Sequence, residues 1–586
     1  MKLCVVASDY DGTIARDGRV EPLVLEAVKE AQARGIVVIL VTGRIVADLR
    51  RVLPEHELFD AVVCENGAVL TFPKMQRRLL THPPSQLLLD ELCARDVAVR
   101  FGDCIIEADA GAAPKILEAI RTLELPLVLQ FNHGRVMVLP QGINKATGLR
   151  AALNTLRLSL HNCVGIGDAE NDYAMLDACE IGVAASWGSK ALQEIADEVL
   201  QGTGPRDVAA YIREVTAHIK LPPHRAHSRR IILGHDTEGK AVEAAIHGRN
   251  ILIAGDPRSG KSWITGLFCE QLILQGYCLC VVDPEGDYTT LGSLPGVVLF
   301  GGADPPPRFS DVARALRHPE VSIVIDLSTI DHAEKLSFVN ELLPMLASLR
   351  RSVGLPHWIV VDEAQYFLHQ PNEHSIDFEL AAYVMSTYQP SQLHPELLKA
   401  IESVIITPMT NPVEVRALAT LCGAEGAAAE WGTILASLDI DEAAVLSRFN
   451  GWGDLPRRFT ITERTTSHVR HRAKYLEVPM PDDRAFVFTC NGHQFGPRAR
   501  TLKEFVTLQA RLPAPALEGH ARRGDFSRWI GTVFADEPLA VEFRQVEKDF
   551  RQGRIAKLAE SLAAPIHQRY EMKKMIPGGA TQPRNH

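Results

Sequence analysis

The stretch LCVVASDYDGTI, residues 3–14, ends a short apolar run with two aspartates, Asp9 and Asp11, just before a glycine. In an extended strand, residues i and i+2 point to the same side. The two carboxylates are therefore expected to converge beyond the carboxyl end of the strand, where open α/β sheets bind ligands. Two bare carboxylates repel each other, and a hard divalent cation such as Mg²⁺ removes that repulsion while also binding a substrate phosphate. The stretch therefore predicts a buried strand of an α/β sheet with a magnesium and phosphate site at its end.

Three other segments offer groups that suit the same site. VILVTGR supplies the Thr42 hydroxyl, and GINKATGL supplies Lys145 at the start of a helix. VGIGDAENDYAML supplies Asp168 and Asp172 after a further apolar run. Because parallel strands end at the same edge of a sheet, these groups are expected to meet the first pair of aspartates.

These four segments resemble the haloacid dehalogenase superfamily of phosphohydrolases in content, order and placement, over about the first 200 residues. The resemblance implies that Asp9 is a nucleophile that forms an aspartyl-phosphate, and that Asp11 serves the leaving group as acid and then base. It also implies that Thr42 holds the phosphoryl oxygens and that Lys145 neutralises charge on the nucleophile and phosphate. The magnesium set that it implies consists of Asp9, Asp11 through its carbonyl, Asp168, and Asp172 as the residue that orients the others.

ENGAVL, residues 65–70, is similar to the Cof-type branch, which includes sugar-phosphate and phosphoglycolate phosphatases with an α/β cap. The resemblance implies a cap over about residues 83–140 that closes on the phosphate and reads the leaving group. A small phosphorylated metabolite is therefore the expected substrate.

A second constellation begins at GDPRSGKS, residues 255–262, between the apolar run NILIA and the helical stretch WITGLFCEQLI. This spacing predicts a phosphate-cradling loop in which Lys261 reaches the outer phosphates and Ser262 holds magnesium. In WIVVDEAQYF, Asp362 is expected to hold the metal through water and Glu363 to polarise the attacking water. ATP is therefore the expected second substrate. The loop residues expected to bind it are Gly255, Arg258, Ser259, Gly260, Lys261 and Ser262.

Residues 228–475 resemble the HerA/FtsK class of P-loop ATPases, which have a RecA-like fold. The resemblance implies a homo-oligomer, a hexameric ring, in which an arginine of one subunit completes its neighbour's site. Arg350, Arg351 and Arg416 remain open candidates for that arginine. Thr407 and Asn411 are candidates for sensing the γ-phosphate, although both also suit ordinary strand ends and turns.

The whole chain of 586 residues reads as an α/β protein in which strands alternate with helices twice. We expect a Rossmannoid phosphohydrolase domain of the haloacid dehalogenase type over 1–218, a linker over 219–230 and a RecA-like P-loop domain over 231–480. A small, mainly helical C-terminal domain over 481–575 and a disordered tail over 576–586 complete the prediction.

Composition limits the partners. The formal charge is -10, so no global basic field draws the chain to nucleic acid or to an acidic membrane. No segment approaches about 18 uninterrupted apolar residues and the start shows no signal-peptide pattern, so a cytoplasmic protein without membrane contact is expected.

Two functions remain open. The first is a magnesium-dependent phosphatase for a small phosphomonoester, coupled to or regulated by an ATPase ring. The alternative is an ATP-driven DNA motor in defence or repair, with the phosphatase domain trimming a nucleotide or a DNA end. The acidic charge, the cap and the absence of a nuclease motif favour the first, so DNA is a possible but not a favoured partner.

Overall fold

The computed structural model describes residues 1–570 except 74–76, 133, 222–228, 247–248, 370–375, 448–454, 467–484, 491–492, 495–497 and 535. Most of the expected linker and the whole expected tail lie outside the described residues. Within the described part, no helix combines the length and the hydrophobicity needed to span a bilayer.

The N-terminal part is built on an eight-stranded sheet with the order β14-β13-β12-β1-β4-β5-β6-β7. Its strands and those of the cap are β1 (Val5–Asp9), β2 (Ala15–Arg16), β3 (Arg19–Val20), β4 (Val37–Val41), β5 (Ala61–Cys64), β6 (Val69–Thr71), β7 (Arg78–Leu79), β8 (Val99–Phe101), β9 (Ile106–Asp109), β10 (Leu127–Asn132), β11 (Arg135–Pro140), β12 (Cys163–Gly167), β13 (Ile181–Ala185) and β14 (Glu198–Leu200). Its helices are α1 (Pro22–Ala33), α2 (Val46–Val52), α3 (Gln86–Ala94), α4 (Ala113–Thr122), α5 (Lys145–Leu156), α6 (Tyr173–Ala178), α7 (Lys190–Ile195) and α8 (Pro205–Val215).

Strand β1 lies in the middle of this sheet. All five of its residues are buried, as expected for a strand covered on both faces. It pairs in parallel with β12 on one side and β4 on the other. The segments that carry the candidate aspartates and threonine therefore end at one edge. Strands β8 to β11 form a separate antiparallel sheet, ordered β10-β11-β9-β8, between the second and third of these segments.

The central part contains an eleven-stranded sheet ordered β16-β15-β25-β24-β23-β17-β22-β21-β18-β20-β19. Its strands are β15 (Arg230–His235), β16 (Ala241–Ala245), β17 (Ile251–Ala254), β18 (Leu279–Asp283), β19 (Val297–Gly301), β20 (Ser322–Asp326), β21 (Trp358–Val361), β22 (Tyr383–Thr387), β23 (Ser403–Ile406), β24 (Glu442–Ser447) and β25 (Arg457–Ile461). Its helices are α9 (Lys261–Leu274), α10 (Phe309–Ala315), α11 (His332–Val353), α12 (Ala364–Phe367), α13 (Pro395–Lys399), α14 (Pro412–Leu421) and α15 (Ala428–Ala436).

Seven adjacent strands of this sheet, from β23 to β19, run parallel. Strand β17 precedes the glycine-rich loop, and β22 separates it from β21, which precedes the acidic pair. Both loops therefore open at the same edge of the sheet.

The C-terminal part is mainly helical. It contains a two-stranded hairpin, β26 (Thr489–Cys490) and β27 (His493–Gln494), and the helices α16 (Leu502–Gln509), α17 (Ala514–Arg523), α18 (Asp525–Trp529), α19 (Glu537–Arg551) and α20 (Leu558–Tyr570). A π-helix, Ile530–Phe534, directly continues α18. An aromatic cluster that includes Phe486, Phe505 and Trp529 fills the core of this part.

Candidate functional site

Three carboxylates meet at the edge where β1 and β12 end. Asp9 is the last residue of β1, Asp168 follows β12, and Asp172 lies in the next turn. Each offers a carboxylate oxygen within 4.8 Å of the others, and all three are buried. Gly12 is required beside them, because its φ is +81° and a Cβ there would lie 2.2 Å from Asp168 Oδ2.

Lys145 joins two of these carboxylates. It is the first residue of α5, which Asn144 caps by accepting a 2.9 Å hydrogen bond from the Thr147 N–H. The fully buried Nζ donates to Asp9 Oδ1 and to Asp172 Oδ1, the latter at 2.5 Å. Burial by itself lowers the pKa of Lys145, but the two carboxylates outweigh it and raise that pKa, so the ammonium stays charged.

The charges of this cluster do not balance by themselves. Three carboxylates and one ammonium carry a net charge of minus two when all are ionised. Burial and the neighbouring Asp172 accordingly raise the pKa of Asp9 well above its usual range. A divalent cation would supply the missing charge and would lower that pKa again. The donor set, carboxylate oxygens only, fits Mg²⁺.

Asp11 does not join this cluster. Strand β1 ends at Asp9, so the side-chain alternation of an extended strand does not continue to Asp11. Its carboxylate instead accepts two 2.6 Å hydrogen bonds from the Arg44 guanidinium, from Nε and from Nη2. The expected convergence of the two side chains is therefore wrong, and Asp11 is held at the mouth of the site while Asp9 lies inside.

Two hydroxyl groups complete the edge. Thr42 follows β4 and is buried, and its Oγ1 accepts the Arg44 N–H at 3.1 Å. Thr13 Oγ1 donates a 2.8 Å hydrogen bond to Asp168 Oδ1. Sequence reasoning gave no role to Thr13 or to Arg44, although both belong to quoted motifs, DGT and TGR.

The Glu65–Asn66–Gly67 turn joins the cap to this edge. Glu65 and Asn66 both have left-handed backbone conformations, with φ of +52° and +55°. The Glu65 carboxylate accepts 2.8 Å hydrogen bonds from the N–H groups of Asp103 and Cys104, in the turn between β8 and β9. Asn66 Nδ2 donates to Gln130 Oε1 of β10 at 2.6 Å.

The same turn also contacts the loop that carries Asp168 and Asp172. The cap lies directly over this edge of the sheet. Asn171 Nδ2 donates to Asn66 Oδ1 at 3.2 Å. Met137 of β11 lies so close to Gly43 that a Cβ there would be 3.4 Å from its sulfur. The space between the cap and the carboxylates is therefore narrow.

The glycine-rich loop adopts a compact form. Gly255 is required, since a Cβ there would lie 1.9 Å from Thr407 Oγ1. Ser259 Oγ and Thr407 Oγ1 lie 2.6 Å apart, and Lys261 Nζ donates to the Asp256 carbonyl at 2.8 Å. Gly260, with φ of +99°, directly precedes α9 and therefore places the loop at a helix N-terminus.

Ser262 and Asp362, the expected metal-binding pair, lie at the carboxyl edge of the same sheet. Ser262 Oγ donates a 2.7 Å hydrogen bond to Asp287 Oδ2, a residue of PEGDY to which sequence reasoning gave no role. Asp362 and Glu363 follow β21 and are buried, and Glu363 has a left-handed φ of +48°. Arg258 lies in the loop itself, also with a left-handed φ, of +65°.

The structure gives the surroundings of three of the more open candidates. Arg350 is buried and donates to the carbonyls of His357 and Ala381, so it cannot reach a neighbouring molecule. Arg351 is half exposed and paired with Asp377. Asn411 caps α14 by accepting the Val413 N–H, and its amide donates to the Gly531 carbonyl.

Comparison with known proteins covers the part of the chain that carries the first of these two sites. The family model for haloacid dehalogenase-like hydrolases matches residues 6–92 and 96–211. The 5-amino-6-(5-phospho-D-ribitylamino)uracil phosphatase YcsE of Bacillus subtilis is 25% identical over 239 residues, 36% of this chain and 94% of the relative. The phosphoglycolate phosphatase of Methanosarcina acetivorans is 28% identical over 211 residues, 35% of this chain and 92% of the relative.

Among solved structures, a haloacid dehalogenase-like hydrolase from Bacteroides thetaiotaomicron is 18% identical, with a TM-score of 0.33, and the match covers 36% of this chain and 100% of that one. The family match ends at residue 211, before the glycine-rich loop begins. The N-terminal part of the chain, about 210 residues long, is therefore a haloacid dehalogenase-like hydrolase domain of the Cof type.

Proposed function

We propose that this chain is a magnesium-dependent phosphatase that hydrolyses a small phosphomonoester through an aspartyl-phosphate on Asp9. The observation that carries the proposal is the buried cluster of three carboxylates bridged by Lys145. Such a net negative cluster is stable only with further positive charge, and phosphoryl transfer requires that charge at the same place. The family match of residues 6–211 supports the same reaction class.

Asp9 is well placed to act as the nucleophile. Lys145 holds its Oδ1, and its Oδ2 accepts no hydrogen bond from the described residues. Oδ2 attacks phosphorus, an Asp9 O–P bond forms, and the bond from phosphorus to the leaving oxygen breaks. Thr42 Oγ1 and the Lys145 ammonium stabilise the charge on the transferring phosphoryl oxygens.

Asp11 supplies and removes the protons. Held by Arg44 at the mouth, it gives a proton to the leaving oxygen and then takes one from the water that hydrolyses the aspartyl-phosphate. The charged nucleophile, Asp9, thus lies inside the site, and the group that transfers protons, Asp11, lies at its mouth.

Mg²⁺, when bound by Asp9, Asp168 and the Asp11 carbonyl, would neutralise the phosphoryl group and the nucleophile. Both Asp172 oxygens are already occupied, Oδ1 by Lys145 and Oδ2 by the N–H groups of Asp168 and Ala169. Asp172 therefore orients the loop that carries Asp168 and need not bind the ion directly.

The substrate that we propose is small, of the sugar-phosphate or phosphoglycolate type. Met137 and Gln130 bring the cap close to the reacting groups, which leaves little room for a protein or a nucleic-acid chain. The names of the relatives, phosphatases of phosphoglycolate and of a ribitylaminouracil phosphate, support the same size class.

The test is hydrolysis of p-nitrophenyl phosphate and of a panel of phosphorylated metabolites with Mg²⁺. Asp9→Asn should lower kcat at least about 1,000-fold, because it removes the carboxylate that we propose as the nucleophile. Asp17→Asn is the matched control, since Asp17 is exposed in a nearby turn and has a left-handed φ that Asn also accepts. Hydrolysis that survives in Asp9→Asn would show that another group is the nucleophile.

We further propose that the central part binds and hydrolyses ATP. The strand order β23-β17-β22-β21-β18 supports this proposal, because it brings the Gly255–Ser262 loop and the Asp362–Glu363 pair to one edge with one strand between them. The sequence resemblance to the HerA/FtsK class extends the proposal to a homo-oligomeric, hexameric ring that regulates the phosphatase. Lys261→Ala should abolish MgATP turnover and leave p-nitrophenyl phosphate hydrolysis unchanged.

An ATP-driven DNA motor is the alternative for the same central part. Stimulation of MgATP turnover by DNA would favour the motor, whereas stimulation by a phosphometabolite would favour the regulated phosphatase. Residues 467–475 of the basic run RRFTITERTTSHVRHRAKY, residues 457–475, lie outside the described residues.

A further inference from the structure

A chain of hydrogen bonds runs behind Glu363. Gln365 Nε2 donates to Glu363 Oε2 at 2.6 Å, and Thr387 Oγ1 donates to Gln365 Oε1 at 2.7 Å. The Gln389 N–H donates to Thr387 Oγ1 at 3.0 Å, and Gln389 Nε2 donates to the Val533 carbonyl at 3.0 Å. The chain therefore links the acidic end of β21 to the C-terminal helical part.

The direction of each bond is set by its neighbours. A backbone N–H can only donate, so the Thr387 oxygen must accept from Gln389 and give its single proton to Gln365. The Gln365 amide then has its oxygen on the threonine and its NH₂ on Glu363. All four side chains, of Glu363, Gln365, Thr387 and Gln389, are at least 94% buried, so water does not substitute for a missing partner.

The far end of the chain rests on an unusual element. Val533 belongs to the π-helix Ile530–Phe534, and the same π-helix accepts the Asn411 amide at the Gly531 carbonyl. Tyr388, between Thr387 and Gln389, packs in the aromatic core of the C-terminal part. Short π-helices frequently occur at functional positions.

We propose that Gln365 is a positioning residue for Glu363 and that the C-terminal helical part completes the ATPase site through this chain. The proposal rests on the proposed hydrolysis of ATP. A base is effective when a third group fixes its orientation. With Oε2 held by Gln365, the Glu363 carboxylate keeps one orientation in the site. The left-handed backbone at Glu363 stores strain that the bonds of the chain offset.

The sharpest test is a matched pair at Thr387 in the full chain. Thr387→Val keeps the shape and removes the hydroxyl, whereas Thr387→Ser keeps the hydroxyl. We expect kcat for MgATP to fall about 10- to 100-fold in Thr387→Val and to stay within about 3-fold of wild type in Thr387→Ser. KM should change less than about 3-fold in both, because orientation of the base affects the chemical step more than nucleotide binding.

A second pair tests the C-terminal end. Gln389→Leu should lower kcat about 3- to 10-fold, since it removes one neutral hydrogen bond. Gln392→Leu, three residues along the same turn, should leave kcat unchanged, because the Gln392 amide donates to Ser391 Oγ at the surface. Hydrolysis of p-nitrophenyl phosphate by the same samples checks folding of each variant.

The outcomes separate the two proposals. Equal MgATP turnover in Thr387→Val and Thr387→Ser, with turnover still abolished in Lys261→Ala, would overturn the positioning chain and leave the ATPase intact. Loss of phosphatase activity together with ATPase activity in Thr387→Val would also overturn it, because the role would be structural. A wild-type chain without MgATP turnover would overturn the proposed ATPase and this inference with it.

Discussion

The contact that holds the cap to the catalytic edge can be broken at one residue. Glu65→Ala removes the carboxylate that accepts the N–H groups of Asp103 and Cys104, both at 2.8 Å. Glu65 is fully buried, and the adjacent Gly102 approaches it so closely that a Cβ there would lie 2.6 Å from the carboxylate. The deletion therefore leaves two donors facing a space in which no other described side chain is placed to accept.

The magnitude follows from the charge on the acceptor. A hydrogen bond to a charged group contributes about 1.5–3 kcal/mol, so the two together contribute about 3–6 kcal/mol. Cys104 is buried but Asp103 is half exposed, so water recovers part of one bond. We take about 3 kcal/mol as the net loss for the closed cap, which corresponds to about a 100-fold shift toward the open cap.

Two measurements test this. Hydrogen exchange of the turn at 102–105 should become faster, and kcat/KM for small phosphomonoesters should fall by up to about 100-fold. Glu65→Gln keeps one acceptor oxygen and should lose about half as much on a logarithmic scale. Glu57→Ala, at an exposed position shortly before β5, is the control. Unchanged exchange and unchanged kcat/KM in Glu65→Ala would refute the role of this contact.

Four further side chains lend themselves to direct tests. Lys145→Met leaves two buried carboxylates without their shared cation, so turnover should fall at least about 100-fold and Mg²⁺ should raise Tm more than in wild type. Ser262→Ala should lower MgATP turnover at least about 10-fold and spare p-nitrophenyl phosphate hydrolysis, because it removes the hydroxyl that we propose holds magnesium. Burial lowers the pKa of His161 and of His357, so the unfolded chain binds more protons than the folded one below pH 6.5. The free energy of unfolding should therefore fall on acidification, by up to about 1.4 kcal/mol per histidine per pH unit, and a urea midpoint that rises from pH 7.5 to 5.5 would contradict this.

The strand ends of both sheets could be predicted from sequence. Apolar runs followed by aspartate, as in VVASD and LCVVD, are typical of central parallel strands, and their polar ends meet at one edge. This logic brought Asp9, Asp168 and Lys145 together correctly. It was wrong for Asp11, because the alternation holds only while the strand lasts and β1 ends two residues earlier.

Contacts between distant segments could not be predicted. Glu65 and Cys104 are separated by a helix and three strands, and nothing local in ENGAVL indicates which N–H groups its carboxylate meets. Arg350 lies in the last turn of α11, where a basic residue is normally exposed, yet tertiary packing buries it against two carbonyls. Local pattern gives the position of such residues on an element, whereas their partners depend on how the elements pack.

The N-terminal part and the central part meet in a polar contact next to two of their central strands. Asn162 directly precedes β12 and His357 directly precedes β21, and Asn162 Oδ1 and His357 Nε2 lie 3.1 Å apart. Each of these strands is followed directly by an aspartate, Asp168 or Asp362, of one of the two sites. The residues just before the two strands are thus in contact with each other, whereas the two sites lie at the carboxyl ends of the strands.

Around this contact the polar groups satisfy each other across the junction. His161 stacks on Tyr277 with 3.7 Å between ring centroids, and the buried Glu180 accepts hydrogen bonds from Tyr277 Oη and lies 2.8 Å from His161 Nδ1. His161 and Glu180 both belong to the N-terminal part and Tyr277 belongs to the central part, so separating the parts would break the Tyr277–Glu180 hydrogen bond and the stacking of Tyr277 on His161. Buried polar contacts therefore join the two parts near the starts of β12 and β21.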